Sequence, residues 1–490
     1  MAKAARRVAV IGAGPAGAIV TDALVKEQAF DKIRVFERRH TPGGTWLVSD
    51  YQVLTPGDNG SRRIPFLRAL LDKLADQPAK LPSKFPCQTQ KVDEVNSEQL
   101  RYSDTAAHEY LHSNLPPNIM AFTQEPIPKI EPRGVLPQYG PIPVFRHREV
   151  IRQWVHDIFK RSRSDSLIEF NTTVESAVKK GDEWVVTLRK DVPGDSNNSW
   201  WQETFDALVV ASGHYSLPFV PSIPGLAEYE TKFPGRIEHT KHYHTAEKYT
   251  GKRVIVVGGS VSAFDALHDI RQTAALPLIS SVREPSGVFG WAPFKHPDFD
   301  NRPPISSLDP ETGRITFTDG SVVDDVDHVL FATGYDFTFP FLPHIKPKNG
   351  RIPGLYQHVF QTSDPSLAFI GMVTGGFGLR IFEWQAVTAA RVLAGRSSLP
   401  SRQEMEEWER ERLSTKGDGP PFWTLMPDFE THFEAYRKIA GEPEPGTTGR
   451  VLPKYDEKWA EEFWKLIDAR IQWWSQQAAA VGSKVATDKT

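Results

Sequence analysis

The chain has 490 residues, of which 39% are hydrophobic and 24% charged, and its formal net charge is −3. This length exceeds what a single core organises, so two or three domains are expected, and the charge gives no reason to expect nucleic acid or an anionic membrane as partner. The one cysteine, Cys87, excludes an internal disulfide, a cysteine metal cluster and a redox dithiol, and it fits a reducing compartment.

The first predicted element is a strand, Arg7 to Ile11, with the continuous apolar character of a strand buried in a parallel sheet. Gly12, Gly14 and Gly17 follow with the spacing G-x-G-x-x-G, and a helix is predicted from Ala18 to Gln28. Gly12 permits a tight turn, Gly14 lets the backbone approach a pyrophosphate, and Gly17 lets helix and strand pack closely. The helix N-terminus attracts the anion, so the unit predicts dinucleotide binding.

The opening apolar strand is too short for a signal peptide, and no uninterrupted apolar run approaches the roughly 18 residues of a spanning helix. We therefore expect a cytoplasmic protein without a transmembrane anchor.

A second predicted strand, Ile33 to Phe36, ends in Glu37, which comes 25 residues after Gly12. A carboxylate at this place accepts hydrogen bonds from both ribose hydroxyls and repels a 2′-phosphate. The predicted nucleotide of this unit is therefore FAD or NAD, not NADP. The glycine pair that follows, Gly43 and Gly44, lets the backbone pass close to a flat ring.

The middle of the chain alternates between elements of both kinds. Residues 50–107 are predicted to be an insertion with a helical stretch from Phe66 to Ala75. A further helix is predicted from His147 to Lys160. The predicted strands are Leu167 to Phe170, Thr172 to Val178, a hairpin of Glu183 to Arg189 and Trp201 to Phe205 across the loop 192–199, and Ala207 to Ala211.

A second glycine-rich turn, Gly258-Gly259-Ser260 with Ala263, marks a second nucleotide unit. Its predicted second strand, Leu278 to Val282, ends in Arg283, again 25 residues beyond the first glycine of its turn. A guanidinium suits a 2′-phosphate, so this unit is predicted to bind NADPH. Glu37 and Arg283 take the same place in the two units but carry opposite charges, which indicates that the two units hold different nucleotides.

The remaining predictions complete the sheets and add a tail. Asp319-Gly320 is predicted to form a hairpin turn, Asp327 to Tyr335 a returning strand, Leu367 to Met372 a buried strand, and Phe382 to Leu393 a helix. In the tail, Met405 and Trp408 lie on a charged helix, and apolar residues from Trp459 to Trp474 have the spacing of an amphipathic helix. That helix is expected to pack onto its own chain, with a homodimer contact or a membrane surface as the alternatives.

Between the two turns, Phe233, Gly235, His239 and Tyr243 have the spacing F-x-G-x-x-x-H-x-x-x-Y. With this linker and with DHVLFATGY at 327–335, the chain resembles the flavin-containing monooxygenases, from about residue 8 to residue 395. The resemblance implies an α/β fold of two Rossmann-like domains, in which an NADPH domain is inserted into a discontinuous FAD domain. The implied division is 1–214 and 330–398 for the FAD domain, 215–329 for the NADPH domain, and 399–490 for a helical C-terminal extension.

The resemblance also implies the chemistry. NADPH would reduce FAD, and the reduced flavin would react with O₂ to a C4a-(hydro)peroxyflavin that oxygenates the amine nitrogen or thioether sulfur of a small molecule. Asn114 is implied to lie beside the flavin as the catalytic side chain. The cofactor-binding residues predicted from the turns and the resemblance are Gly12, Gly14, Pro15, Ala16, Gly17, Glu37, Gly44, Thr45, Trp46, Ser113, Asn114, Val174, Ser212, Gly213, Gly258, Ser260, Ser262, Ala263, Asp265, Arg283, Thr333, Gly334 and Gln385.

Other interpretations use the same residues. His239, His242 and His244 form H-x-x-H-x-H, but a metal site would need Glu238 or Glu247 to complete it, and no metal is predicted. A disulfide reductase needs two cysteines and is excluded. Baeyer–Villiger oxygenation, N-hydroxylation of a small metabolite, and a flavoprotein oxidase or sensor without oxygen transfer stay open.

Overall fold

The computed structural model describes residues 4–47, 78–91, 105–108, 110–130 and 145–487, with the side chains of 482–487 excepted. Most of the predicted insertion, including the helix expected from Phe66 to Ala75, lies outside the described residues. The α-helices are α1 Pro15–Glu27, α2 Pro117–Met120, α3 Arg148–Arg161, α4 Leu226–Lys232, α5 Val261–Ile270, α6 Arg380–Leu393, α7 Arg402–Lys416, α8 Phe429–Ala440 and α9 Glu457–Thr487. The strands are β1 Arg7–Ile11, β2 Lys32–Phe36, β3 Cys87–Gln90, β4 Ile168–Glu169, β5 Thr172–Lys180, β6 Glu183–Lys190, β7 Asn197–Phe205, β8 Ala207–Val210, β9 Leu217–Pro218, β10 Ile237–His239, β11 Val254–Val257, β12 Leu278–Ser281, β13 Phe299–Arg302, β14 Ile305–Leu308, β15 Ile315–Phe317, β16 Val322–Val323, β17 His328–Phe331, β18 Tyr335–Asp336, β19 Leu355–Tyr356, β20 Phe360–Gln361 and β21 Leu367–Phe369.

The first sheet has seven strands in the order β19-β20-β21-β8-β1-β2-β4. Strand β1 lies at its centre and pairs in parallel with β2 and β8, so that Ile11 is opposite both Phe36 and Val210. Its residues Val8 to Val10 are fully buried because α1 and α6 cover one face of the sheet and the antiparallel strands β5 to β7 cover the other, which explains the continuous apolar run.

The second sheet has five strands in the order β10-β17-β11-β12-β13, and every neighbouring pair is parallel. Strand β11 is central, between β12 and β17, as β1 is in the first sheet. In the first sheet β19, β20 and β21 pair antiparallel, and the strands around β1 are parallel. Two sheets with a parallel centre, each with a glycine-rich turn after its central strand, confirm the predicted α/β fold of two Rossmann-like units.

Two short strands connect the sheets. Strand β9 leaves the first sheet and pairs antiparallel with β18, which returns from the second, with Leu217 opposite Asp336. Strand β17 belongs to the second sheet and runs across residue 329, where a domain boundary is predicted. The domain division stays a prediction, supported by which strands share a sheet.

Helix α1 begins at Pro15, three residues before the predicted start at Ala18. Proline is favoured in the first turn of a helix because its φ is already helical and its missing amide would have no partner there. Gly17 therefore lies inside the helix and not before it. The hairpin of β6 and β7 is confirmed, with Lys190 opposite Ser199, but β7 begins at Asn197, inside the predicted loop 192–199. The single strand predicted from Asp327 to Tyr335 is divided into β17 and β18.

The C-terminal extension packs onto both units. Helix α8 lies against α6, where Thr388 Oγ1 donates a hydrogen bond to Tyr436 O over 3.1 Å. Helix α9 reaches α6 through Trp459, which meets Trp384 at 5.8 Å, and reaches α5 through Trp474, which meets Phe264 at 5.1 Å between ring centroids. The amphipathic helix therefore packs onto its own chain as expected. In the part of the chain that the structure describes, no helix combines the length and apolarity needed to cross a bilayer.

Candidate active site

A cavity of about 1750 Å³ lies where the carboxyl ends of the two parallel sheets face each other. Residues that follow β1, β8, β11 and β17 line it, which is the place where parallel α/β sheets bind ligands. Most of the predicted site residues line this one cavity: Gly12, Gly14, Pro15, Ala16, Glu37, Gly44, Thr45, Trp46, Asn114, Val174, Ser212, Gly213, Gly258, Ser260, Ser262, Asp265, Arg283, Thr333 and Gly334.

The first turn leaves no room for side chains. A Cβ on Gly12, whose φ is +103°, would lie 2.6 Å from the carbonyl oxygen of Ala211, and a Cβ on Gly17 would lie 2.0 Å from that of Gly12. Gly14 faces Gly44, at 3.3 Å from its added Cβ to the Gly44 Cα. The backbone amides at the start of α1 thus border the cavity without obstruction, and this cradle fits a pyrophosphate.

Glu37 is 4% exposed at the end of β2. Its carboxylate accepts hydrogen bonds from Ala13 N over 2.8 Å and from Arg39 N over 2.9 Å. These bonds fix the carboxylate at the cavity wall beside the first turn, which fits a ribose with its hydroxyls directed at Glu37.

The second turn also leaves no room for side chains, here at two adjacent glycines. A Cβ on Gly258, whose φ is +147°, would lie 2.4 Å from Ala332 O, and a Cβ on Gly259 would lie 2.1 Å from Glu284 O. Ser260 precedes α5 and caps no amide with its side chain. Gly259 lines the cavity and was not among the predicted site residues, although the Gly-Gly pair was a signal for it.

Two exposed polar side chains project at the cavity. Arg283 follows β12, and it has no ion-pair partner among the residues that the structure describes. The Asn114 amide likewise has no hydrogen-bond partner within the described ranges. Both groups are therefore open to a ligand, and a free guanidinium at the end of the second strand fits a 2′-phosphate.

Four predicted site residues lie behind the cavity wall. Gly17 and Ala263 make the close contacts between turn and helix. Ser113 Oγ donates to Leu115 O over 3.0 Å and accepts from Arg146 N over 3.0 Å, which fixes the segment that carries Asn114. Gln385 is fully buried on α6, and its Oε1 accepts from Gly371 N over 2.9 Å, so it acts on the wall through Gly371.

Asp265 on α5 lines the cavity and also faces the C-terminal helix. Its Oδ1 lies 3.4 Å from the Arg470 guanidinium of α9, which is 2% exposed. Burial raises the pKa of Asp265 to about 7, against the opposing effect of Arg470. The C-terminal extension thus contacts the second nucleotide unit directly.

The linker motif ties the second sheet to the returning strand. His239 accepts a hydrogen bond from Lys241 N at Nδ1 over 3.0 Å, which leaves Nε2–H to donate to Gly334 O over 3.0 Å. Burial lowers the pKa of His239 to about 3, so the ring is neutral. Tyr243 donates to the Asp269 carboxylate. Within the described residues, no group of three or more histidines, cysteines and acids is arranged to hold a metal ion.

Sequence reasoning missed a wall formed by the C-terminal extension. Pro420 and Trp423 line the cavity, although the tail showed no site motif. The backbone places them: Thr374 N donates to Trp423 O over 3.2 Å, and Leu425 N donates to Thr374 O over 2.9 Å. His214, whose ring meets that of Trp423, lines the same wall.

Comparison with known proteins identifies the family. The family model described as FMO-like, "Flavin-binding monooxygenase-like", matches residues 135–291 and 303–418, more than half of the chain. "Flavin-containing monooxygenase FMO GS-OX-like 9" of Arabidopsis thaliana is 30% identical over 82% of this chain and 78% of its own length. Trimethylamine monooxygenase of Methylocella silvestris is 33% identical over 58% of this chain and 62% of its own length.

The solved structure of S-allyl-L-cysteine S-oxygenase from Allium sativum has the same fold. It aligns with a TM-score of 0.69 and 22% identity, over 98% of this chain and 99% of its own. FAD and NADPH are the cofactors of the flavin-containing monooxygenases, and both dinucleotide cradles described above fit them. This chain belongs to the flavin-binding monooxygenase-like family.

Proposed function

We propose that the protein uses NADPH and O₂ to oxygenate a soft nucleophile, an amine nitrogen or a thioether sulfur, of a small molecule. One observation carries the proposal. Two glycine turns open into a single cavity of about 1750 Å³, one beside a carboxylate and the other beside a free guanidinium. Two different dinucleotides can therefore meet inside one cavity.

The proposed assignment gives each nucleotide its own turn. The turn from Gly12 to Gly17 would hold the FAD pyrophosphate, with Glu37 on the ribose. The turn from Gly258 to Ala263 would hold that of NADPH, with Arg283 on the 2′-phosphate. Glu284 is exposed beside Arg283, and its charge would disfavour a phosphate displaced toward it.

Bound FAD supplies electron transfer from the nicotinamide and the activation of O₂. The residues of the chain bind, orient and exclude water. Asn114 offers an amide that can donate and accept hydrogen bonds in the cavity. The touching rings of His214 and Trp423 line one side of the cavity, where they would exclude water.

The substrate class is argued from chemistry and from the relatives. If O₂ is activated before the substrate enters, the substrate has to be a reactive nucleophile, but the site does not have to fit it closely. Amines and thioethers are nucleophiles of this kind. Trimethylamine, in the name of one relative, is an amine, and S-allyl-L-cysteine, in the name of a structural neighbour, is a thioether. The linker motif of this chain ends in Tyr243, which is the form of flavin-containing monooxygenases that act on nitrogen or sulfur. Baeyer–Villiger enzymes resemble the form of the motif that ends in Trp, so Tyr243 favours amines and thioethers as substrates.

The test reduces the purified flavoprotein with NADPH under anaerobic conditions and then mixes it with oxygenated buffer and one candidate substrate. Trimethylamine, S-allyl-L-cysteine and a cyclic ketone serve as the panel, and product is measured per NADPH consumed. The proposal expects close to one N-oxide or S-oxide per NADPH for one of the first two. Product from the ketone alone, or hydrogen peroxide in all cases, would reject it.

A further inference from the structure

Helix α9 contacts the two nucleotide units with different parts of its length. Near its start, Trp459 meets Trp384 of the first unit at 5.8 Å between ring centroids. Further along, Trp474 meets two rings of the second unit, Phe264 of α5 at 5.1 Å and Phe289, which follows β12, at 5.2 Å. The two tryptophans are about 22 Å apart along the helix at the usual rise per residue. One continuous helix therefore joins the two units.

Arg470 lies on the part of α9 that faces the second unit, and its side chain is 2% exposed. The guanidinium lies 5.6 Å from the ring centroid of Phe264, 5.1 Å from that of Phe289 and 4.7 Å from that of Trp474. Aromatic rings attract a cation, but a buried cation also needs an anionic partner. Asp265 provides one, since Arg470 donates a hydrogen bond to its Oδ1 over 3.4 Å.

Asp265 brings this cation next to the second glycine turn. Helix α5 begins at Val261, directly after the turn, and Asp265 lies about one helical turn further on, where it lines the cavity. An ionised carboxylate so close to the turn opposes the binding of an anion there. The positive charge of Arg470 offsets this effect from behind the cavity wall.

The charge of Asp265 depends on its neighbours. Burial raises the pKa of Asp265 to about 7, Asp269 one turn further along α5 adds to this rise, and Arg470 opposes it. Asp269 itself accepts a hydrogen bond from Tyr243 of the linker motif. His268 on the same helix carries no charge near neutral pH, because burial lowers its pKa to about 3. Arg470 is therefore the neighbour that favours the ionised carboxylate.

We propose that Arg470 is a positioning residue for NADPH, which acts on the second glycine turn through Asp265. It offsets the carboxylate beside the turn, and it holds the start of α5 against the C-terminal helix. The inference rests on the proposed assignment of NADPH to this turn. It is tested by binding alone, so a failure of oxygen transfer leaves it standing.

The experiment measures the dissociation constant of NADP⁺ for the FAD-loaded protein by calorimetry, over the pH range in which Asp265 titrates. The variants are Arg470→Met, which removes the charge and keeps a long side chain, Arg470→Lys, which keeps the charge, and Asp265→Asn, which removes the carboxylate. Arg450→Met is the matched control. Arg450 is as deeply buried in the C-terminal extension as Arg470, but it pairs with Asp22 and Glu383 of the first unit.

Below about pH 7, Arg470→Met should bind NADP⁺ about five- to tenfold more weakly than the native protein, because a positive charge near the anionic ligand is lost. Arg470→Lys and Arg450→Met should bind NADP⁺ nearly as tightly as the native protein. A role of Arg470 in packing alone would lower the melting temperature of the FAD-loaded protein and would not be rescued by lysine.

The pH profile gives a second readout. In the native protein the affinity for NADP⁺ should fall as the pH rises through about 7, because the Asp265 carboxylate loses its proton and opposes the ligand. Asp265→Asn should lack this fall, and its profile shows how the ionisation of the nucleotide itself contributes. In Arg470→Met the fall should move to higher pH, because the carboxylate keeps its proton longer without its cation.

The inference is overturned if Arg470→Met and Arg450→Met change the affinity for NADP⁺ to the same extent, or if the pH profile of Arg470→Met coincides with that of the native protein. If Arg470→Met is poorly folded, Asp265→Asn decides, and a profile equal to the native one contradicts the inference. A native protein that binds no NADP⁺ would reject the proposed function as well. Native binding with unchanged Arg470 variants would reject the inference alone.

Discussion

The ends of the two second strands carry opposite charges at equivalent positions. Glu37 is buried and fixed by two backbone amides, whereas Arg283 is exposed at the cavity without an ion-pair partner in the described part of the chain. Because backbone amides already hold the Glu37 carboxylate, it is in position to accept hydrogen bonds from the hydroxyls of a ribose. A free guanidinium gains most from a phosphate, because a charge-assisted pair is stronger than a neutral hydrogen bond.

The first prediction concerns Arg283→Gln. The dissociation constant for NADPH should rise about 10- to 100-fold, the value of a charge-assisted hydrogen bond, while that for NADH changes little. Binding to the FAD-loaded protein is measured for both nucleotides. Arg302→Gln is the matched control, since Arg302 is on the neighbouring strand and pairs with Asp300 at 2.7 Å. Equal losses for NADPH and NADH would reject Arg283 as the phosphate ligand.

The second prediction concerns Asn114→Ala. FAD should stay bound, and product formed per NADPH should fall about tenfold with a matching rise in hydrogen peroxide, because one hydrogen-bonding group in the cavity is lost. Asn118→Ala controls for the substitution: Asn118 is exposed four residues further on, outside the cavity, and bonds Glu462. Unchanged coupling in Asn114→Ala would remove Asn114 from the site.

At the scale of elements, the linker that contains His239 holds the second sheet to the strand returning from it. The hydrogen bond from His239 Nε2 to Gly334 O joins β10 to the residue that lines the cavity between β17 and β18. Gly235 in the same linker has a φ of +84°, which favours glycine. The linker motif therefore influences the cavity through the backbone of Gly334, between β17 and β18.

The third prediction is a pH dependence. Burial lowers the pKa of His239 from 6.5 to about 3, so the unfolded chain binds one more proton than the folded chain between these values. Stability from this group is present above about pH 6.5 and is lost as the pH falls. In His239→Gln, whose amide can still donate to Gly334 O, the urea midpoint should drop less between pH 7 and pH 4.5. An exposed histidine, His40→Gln, is the control, and an equal drop in His239→Gln would show that His239 does not cause the dependence.

Local pattern predicted the turns, their helices and the strands that flank them, because a glycine turn needs a fixed spacing and a buried strand needs a continuous apolar run. It did not predict that Trp423 lines the cavity. The bridge between Thr374 and Thr424 is a backbone contact over 50 residues, with no periodicity and no special side chain to signal it. Gln385 shows the converse: its nearness to the cavity was expected, but burial directs its amide to Gly371 N.

At the scale of the whole molecule, one arginine joins the C-terminal extension to the first unit. Arg450 is 1% exposed and pairs with Asp22 of α1, with Glu125, and with Glu383 of α6. The Glu383 carboxylate lies 2.7 Å from the guanidinium and also accepts from Thr123 Oγ1 over 2.9 Å. Three segments distant in sequence are thus held by one buried side chain.

The fourth prediction concerns Arg450→Met. The change leaves Glu383 without its ion-pair partner, while Asp22 keeps Lys26 and Glu125 keeps Arg161. Removing one partner of a buried ion pair costs about 3–5 kcal/mol. The melting temperature of the FAD-loaded protein should fall by several degrees, measured by flavin fluorescence. Arg402→Met removes an exposed pair with Glu406 and should change it little. Equal, small shifts in both variants would show that the buried cluster does not hold the extension.

The proposed function requires that an oxygen atom from O₂ reaches the substrate inside the cavity. The most direct measurement supplies isotopically labelled O₂ with NADPH and a tertiary amine or thioether, and determines the mass of the product. We expect one labelled oxygen atom in each N-oxide or S-oxide molecule, with NADPH consumed in equal amount. Label found only in hydrogen peroxide or water, with the amine and thioether unchanged, would contradict the proposed function.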